Sequence, residues 1–235
     1  MNKTDLIIQA RVGSSRLPGK SLFDLAGKPL VYRIIERVKR CKNLDDIILA
    51  IPDTPQNKPL EEIALETKIK CFKGSENDLV DRYLGAASLY NTDFICRLPA
   101  DNPLPEPSQI DKMISSHLGL EKKGFSSNLA QINNSGYPDG IGVEIFSRSL
   151  LKYVADKSDD PIKREHVHLN FYNYETHQVV NPELAPVNTI ICPKDFRRPD
   201  IVLDVNTYDQ YLFIKEIYDY FYNKKNNFSI TDIIY

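Results

Sequence analysis

No stretch of the 235 residues approaches the ~20 consecutive apolar positions a membrane-spanning helix needs. The one apolar run near the N-terminus, Leu6-Ile7-Ile8, is too short for the core of a secretory signal. Four cysteines, Cys41, Cys71, Cys96 and Cys192, contain no C-x-x-C pair, which argues against zinc and dithiol motifs and for structural thiols in a reducing compartment. Formal net charge is -2, so no overall excess points to nucleic acid or to a charged membrane surface. There is no internal repeat and no low-complexity segment. Both nucleotide fingerprints are missing: G-x-G-x-x-G does not occur, and G-x-x-x-x-G-K-[ST] fails because Gly13 to Gly19 is one residue too long, with Pro18 where the second glycine belongs. These absences predict a cytoplasmic protein with neither a nucleic acid nor a membrane as partner.

The composition that remains, 42% hydrophobic and 26% charged, suits one globular domain with a substantial core. Short apolar runs at 6–10, 47–51, 70–72 and 94–98 read as buried strands. They alternate with amphipathic segments at 29–40, 59–67, 77–90 and 107–118. In the first of these, Leu30, Ile34, Ile35 and Val38 share one helical face, while Arg33, Glu36, Arg37 and Lys39 take the other. Such alternation predicts a mostly parallel sheet with helices on both faces. After Gly124 the pattern loosens. Strands are expected at 125–128 and 143–146, helices after Ser147 and after Asp160-Pro161, strands again at 189–192 and 201–205, and a Tyr-rich helix at 207–222. Residues 1–235 thus read as one domain with a less regular insertion over about 124–199.

The first strand runs into "IIQARVGSSRLPGKSL" (7–22). Gly13 and Gly19 permit close backbone approach, Ser14 and Ser15 add donors, and Arg11, Arg16 and Lys20 place three cations within ten residues. Arg presents a planar fork to phosphate oxygens and Lys a mobile point charge. Ligands of open α/β sheets bind off the carboxyl ends of the strands, which is where this loop begins. The physics points to phosphate. Asp101 follows the strand at 94–98 in a turn stiffened by Pro99 and Pro103, and Arg97 ends that strand four residues earlier.

The opening motif closely resembles that of the sugar nucleotidyltransferases of the spore-coat polysaccharide protein F type, relatives of the CMP-acidic-sugar synthetases. The resemblance continues through "FKGSENDLVDRY" (72–83), "CRLPADNPLPEP" (96–107), "YPDGIGVEIFS" (137–147), "REHV" (164–167) and "LDVNTYDQY" (203–211). It implies a three-layer α/β/α fold of the GT-A type and a cytidylyltransferase that moves CMP from CTP, or another nucleotide from its triphosphate, to a sugar acid or similar anionic acceptor. Mg²⁺ is the implied cofactor and a homodimer the implied assembly, with the insertion serving the acceptor and the dimer contact. Arg11, Arg16 and Lys20 would neutralise the leaving pyrophosphate. Ala10, Gly13, Ser14, Ser15, Arg97 and Asp101 would join them around the nucleotide.

Asp101 falls where the family carries a metal-binding Asp-x-Pro. For the second metal ligand the usual aspartate position holds Asn206, and Asp204 lies two residues before it; either could complete the site. Asp139, Glu144, Arg164 and His166 would meet the acceptor, the last two from a single helix. His166 and His168, two residues apart, would not face each other on a helix and so form no zinc pair. Gly142 stands where relatives often have an acidic residue, which points to a different acceptor preference. The segment with Glu76, Asp78, Asp81 and Arg82 lies beside the nucleotide by resemblance, while as bare sequence it reads as a helix N-terminus capped by Ser75. Three other readings stay open: a nucleotidyltransferase acting on a sugar phosphate, a GT-A glycosyltransferase, and a nucleotide-binding regulator without catalysis.

Overall fold

Seven strands form one sheet in a computed structural model that describes residues 2–234. They are β1 (Thr4–Gln9), β2 (Asp46–Pro52), β3 (Lys70–Gly74), β4 (Phe94–Pro99), β5 (Phe125–Ser127), β6 (Glu144–Ser147) and β7 (Val187–Asn188). Their order is β7-β5-β6-β4-β1-β2-β3. β1 lies parallel to both β2 and β4, and β2 is parallel to β3. β6 runs antiparallel between β4 and β5. Residues 124–199, read from sequence as an insertion, therefore contribute three strands to the same sheet.

The period of two along β1 sends Leu6 and Ile8 to one face and Ile7 to the other. On the first face lie α1 (Leu30–Val38), α2 (Lys58–Glu66), α4 (Pro107–Leu118), α7 (Tyr208–Phe221) and α8 (Ile230–Ile234), through residues such as Ile34, Ile63, Ile110, Ile214 and Ile230. On the second lie α3 (Leu79–Leu89) and α5 (Arg148–Ala155), through Val80, Tyr83, Ala86 and Leu151. A short α6 (Pro161–Glu165) follows α5 and leads into a 3-10 turn, Val167–Asn170. The result is the expected α/β/α sandwich. Among the described residues no helix is long and apolar enough to cross a membrane, and all four cysteines are free.

One expectation fails, and one face of a helix is not what its charge suggests. The strands expected at 189–192 and 201–205 are absent: the chain keeps only β7 at 187–188, and Val202 makes an isolated bridge with Asp139. Their backbone groups bond to the 135–139 loop instead, Cys192 N–H donating to Ser135 at 2.8 Å and Leu203 N–H to Asp139 at 3.0 Å. The polar face of α1 is also not a solvent face, since Arg33 and Arg37 are both only 3% exposed. The C-terminal segment covers them. The Arg33 guanidinium lies 3.8 Å from the Tyr222 ring centre and that of Arg37 lies 4.9 Å from Phe228. Arg33 Nε donates to Leu25 O at 2.8 Å and Arg37 Nε to Pro105 O at 2.9 Å. Long Arg stems with planar heads tolerate such burial when carbonyls and rings receive them.

Candidate active site

Past Gln9 the chain leaves the sheet and folds back on itself. Gly19 N–H and Ser14 N–H both donate to Val12 O at 2.9 Å, and Val12 N–H donates to Asn57 Oδ1 at 2.9 Å. Gly19 adopts φ +77°, a left-handed conformation that favours glycine, and the turn it makes sends Lys20 inward. Lys20 ends 8% exposed, its ammonium 2.7 Å from Val205 O, 3.3 Å from Asp101 Oδ2 and 3.4 Å from Asn206 Oδ1. A single buried cation thus ties the loop to two segments far away in sequence.

Those segments converge through their backbones. Val205 N–H donates to Asp101 O at 2.7 Å, and Asp139 N–H donates to Ile201 O at 3.0 Å. Gly140 (φ +94°) closes the gap, because a Cβ there would stand 3.2 Å from the Asp204 nitrogen. Asp101, Asp139 and Asp204 consequently line one cleft of about 550 Å³ with Arg11, Arg16 and Lys20. Burial, reinforced by the charges of Asp204 and Asp101, pushes the Asp139 carboxyl up to about 6. Burial and then Asp101 raise Asp204 as well, with Lys20 and Arg16 pulling the other way. Asn206 is engaged with its neighbours: its Nδ2 donates to Asp204 and its Oδ1 accepts from Lys20. Gln210, the capping-box residue of α7, donates to Asp204 Oδ1 at 3.1 Å and holds Asn206 N–H at 2.8 Å. Of the two second-ligand alternatives, Asp204 carries the charge and Asn206 orients it. Among the described residues no group of three His, Cys, Asp or Glu side chains forms a metal cage on its own.

The opposite wall is a buried network at the end of β4 and β6. Arg97 Nη1 pairs with Glu144 Oε2 at 2.5 Å, and Arg97 Nε donates to Gln9 Oε1 at 3.0 Å. Tyr174 donates to the other Glu144 oxygen at 3.0 Å and meets Ser127 Oγ at 2.8 Å. Burial disfavours the Arg97 charge, but the Glu144 carboxylate overrides this and holds the guanidinium above its ordinary value. His168 stacks near Tyr174, ring centres 5.3 Å apart, and burial lowers its imidazole to about 4.

Most of the residues singled out from sequence meet here, including Ala10, Ser14, Ser15 and His166. Two do not. Gly13 lies off the cleft wall, where a Cβ would stand 2.7 Å from Gln56 Nε2. Arg164 points away and pairs with Asp78 Oδ2 at 2.5 Å. The "REHV" segment is not one helix: α6 stops at Glu165, and His166 turns the chain into the 3-10 segment. That turn brings the His166 and His168 rings to 6.1 Å in edge contact and both into the cleft. At Gly142 any side chain would collide with Asn128, whose carbonyl oxygen lies 2.2 Å from a would-be Cβ, so close packing keeps that position small. Glu144, expected at the acceptor, has both oxygens taken.

Asp78 caps α3 by accepting from Asp81 N–H at 2.9 Å, and Ser75 Oγ in turn accepts from Asp78 N–H at 3.1 Å. Arg82 behind it is 4% exposed, donates to Ser75 O at 2.7 Å and is lowered by burial to about 10. Sequence reasoning missed Tyr174, which enters from the turn after a two-residue hairpin strand, Tyr172–Asn173, with no motif, and Gln9, inside the opening motif. It set His166 and His168 on different faces of a helix, a spacing rule that does not apply once the chain passes into the 3-10 turn.

The sequence matches the cytidylyltransferase family model over residues 6–228. It is 31% identical over 223 residues to the spore coat polysaccharide biosynthesis protein SpsF of Bacillus subtilis, covering 93% of this chain and 87% of that one. It is 29% identical to the 8-amino-3,8-dideoxy-manno-octulosonate cytidylyltransferase of Shewanella pealeana, covering 74% and 75%. Among solved structures, a cytidylyltransferase from Leptospira borgpetersenii superposes with a TM-score of 0.86 at 30% identity, over 100% of this chain and 93% of its own. A loop with three cations, a carboxylate cluster beside it and a match across nearly the whole chain lead to one conclusion: this protein belongs to the cytidylyltransferase family and is a nucleotidyltransferase.

Proposed function

We propose that this enzyme transfers CMP from CTP to a hydroxyl of a sugar acid, releasing pyrophosphate with the help of Mg²⁺. The observation that carries the reading is Lys20, which belongs to the phosphate loop yet sits 3.3 Å from Asp101 and 3.4 Å from Asn206. A triphosphate on the loop would therefore lie against the carboxylates. Asp101 and Asp204 offer hard oxygen donors, and Mg²⁺ is ordinarily held by one or two carboxylates plus phosphate oxygens and water, so the pair fits the ion. Burial raises both Asp139 and Asp204, and neighbouring carboxylates add to it, Asp204 and Asp101 on Asp139 and Asp101 on Asp204, as in a place short of positive charge. When bound by Asp101 and Asp204, Mg²⁺ supplies neutralisation of phosphate charge.

The residues of the chain do the rest. Arg11, Arg16 and Lys20 hold the triphosphate and offset the charge that grows on the leaving pyrophosphate. The acceptor oxygen forms a bond to the α-phosphorus as the bond from that phosphorus to the bridging oxygen of pyrophosphate breaks, and the proton of the attacking hydroxyl is lost to water. Asp139 accepts a hydrogen bond from an acceptor hydroxyl. Across the cleft, acceptor contacts fall to His166, His168 and Tyr174, because Glu144 and Arg97 neutralise each other. A neutral His168 can donate from one ring nitrogen and accept at the other. The name of the Shewanella relative, which specifies a sugar acid, supports that acceptor class.

Calorimetry with CTP, UTP, GTP and ATP in Mg²⁺ tests the first half, and pyrophosphate release with a panel of sugar acids tests the second. Selective CTP binding that weakens in Lys20→Ala and Asp101→Ala is expected. Binding of a nucleotide-sugar with no binding of any free triphosphate would move the protein to the glycosyltransferases.

A further inference from the structure

Arg11 is one of three loop cations aimed at phosphate, yet it is already occupied. Among the described residues its side chain makes one ion pair, Nη2 to Glu165 Oε1 at 3.4 Å, and Glu165 makes no other. Both line the cleft, Arg11 from the loop after β1 and Glu165 from the last turn of α6. The two side chains are 31% and 51% exposed, so the contact is one-armed and half in water.

The helix carrying Glu165 needs no help from Arg11 to stay in place. Asp160 caps it by accepting from Ile162 N–H at 2.9 Å. Arg164 clamps it to the N-terminus of α3 through Asp78 at 2.5 Å and to Ser158 O at 3.3 Å. Asn170 Nδ2 donates to Lys163 O at 2.9 Å. Adjacent residues thus do different work: Arg164 anchors the segment, and Glu165 reaches back over the cleft.

A guanidinium cannot keep that carboxylate and also offer its fork to a triphosphate, and a carboxylate left beside the phosphates repels them. We infer that Glu165 is a positioning residue that holds Arg11 until the triphosphate displaces it, so that nucleotide binding begins with the exchange of one anion for another. The inference rests on the cytidylyltransferase reading. The exchange makes Arg11 a conditional ligand, released for phosphate while α6 stays anchored.

The test is calorimetric titration of CTP with Mg²⁺ into the parent, Glu165→Gln, Arg11→Ala and the double variant. An exposed pair of this kind is worth ~0.2–1 kcal/mol, so Glu165→Gln should tighten CTP about 1.4- to 5-fold, and more at low salt. Arg11→Ala should weaken CTP, and adding Glu165→Gln to it should recover only the small through-space repulsion. A purely structural role for Glu165 would not tighten a ligand. Unchanged or weaker CTP binding in Glu165→Gln, or an equal gain with and without Arg11, overturns the inference and leaves the enzyme's function standing. No CTP binding to the parent overturns the functional reading itself, and the inference with it.

Discussion

At the end of the cleft nearest the loop stand three carboxylates, Asp101, Asp139 and Asp204, of which Asp101 pairs with the buried ammonium of Lys20. Across from them Arg97, Glu144, Gln9 and Tyr174 are joined by an ion pair and hydrogen bonds. The first region is held together by backbone links and carries an electrostatic deficit that a cation can relieve. The second is held by its side chains and carries its charges as a closed pair. Binding energy is available where charges are uncompensated, and shape is specified where they are paired. The loop end therefore reads as the place of chemistry and the network as a rigid wall that presents His168 and Tyr174.

Breaking the wall should cost the most. Arg97→Met leaves Glu144, which is fully buried, without its counter-charge. Urea unfolding is expected to show a loss of about 3–5 kcal/mol, and combining it with Glu144→Met should recover much of that. If the single variant is as stable as the parent, the two ends do not differ as described. Next comes the loop end: Lys20→Ala and Asp101→Ala should each lower turnover of CTP about 10²–10³-fold, with Asp101→Ala leaving the unfolding midpoint nearly unchanged. A large drop in stability without a kinetic effect would reverse the assignment of roles.

The two regions also respond oppositely to pH. Asp139 has a folded value near 6, above its ordinary 3.8, so the native state holds its proton more tightly than the unfolded chain. Its stabilising effect is complete below about 4 and fades as pH rises through about 6. His168 has a folded value near 4, below its ordinary 6.5, so stability is lost as pH falls from about 6.5 through about 4. Unfolding curves across pH 4–8 should show Asp139→Asn gaining about 1–3 kcal/mol over the parent at pH 8 and nothing at pH 4. His168→Gln should flatten the acid limb, with the remainder due to His117, which burial also lowers to about 4. The smallest effect is expected from Asn206→Ala. Losing the amide that orients Asp204 should weaken Mn²⁺ binding in the presence of CTP about tenfold, read by electron paramagnetic resonance. A complete loss of metal binding would make Asn206 a ligand in its own right.

Much of the loop end of the cleft was legible because it is local. The loop's cations, glycines and serines occupy one continuous stretch after a strand whose apolar period announces it. Asp101 was legible for the same reason, lying just past another strand. The insertion was not. Whether Arg164 or Glu165 enters the cleft depends on where α6 ends, and whether Glu144 is free depends on Arg97 and Tyr174 from other elements. The strands expected at 189–192 and 201–205 have the right composition, but their backbone groups found partners in the 135–139 loop.

By itself the sequence determined the alternation of strands and helices, the parallel half of the sheet and the chemical character of the loop, since periodicity and turn chemistry act over a few residues. Only the tertiary structure decided which charges remain available. Arg33 and Arg37 belong to the outer face of α1 until the C-terminal helices cover it. Asp139 becomes a neighbour of Asp204 only through the bonds linking it to Ile201 and Leu203. The worth of a charge depends on its surroundings in space, and those are set by contacts between residues far apart in the chain.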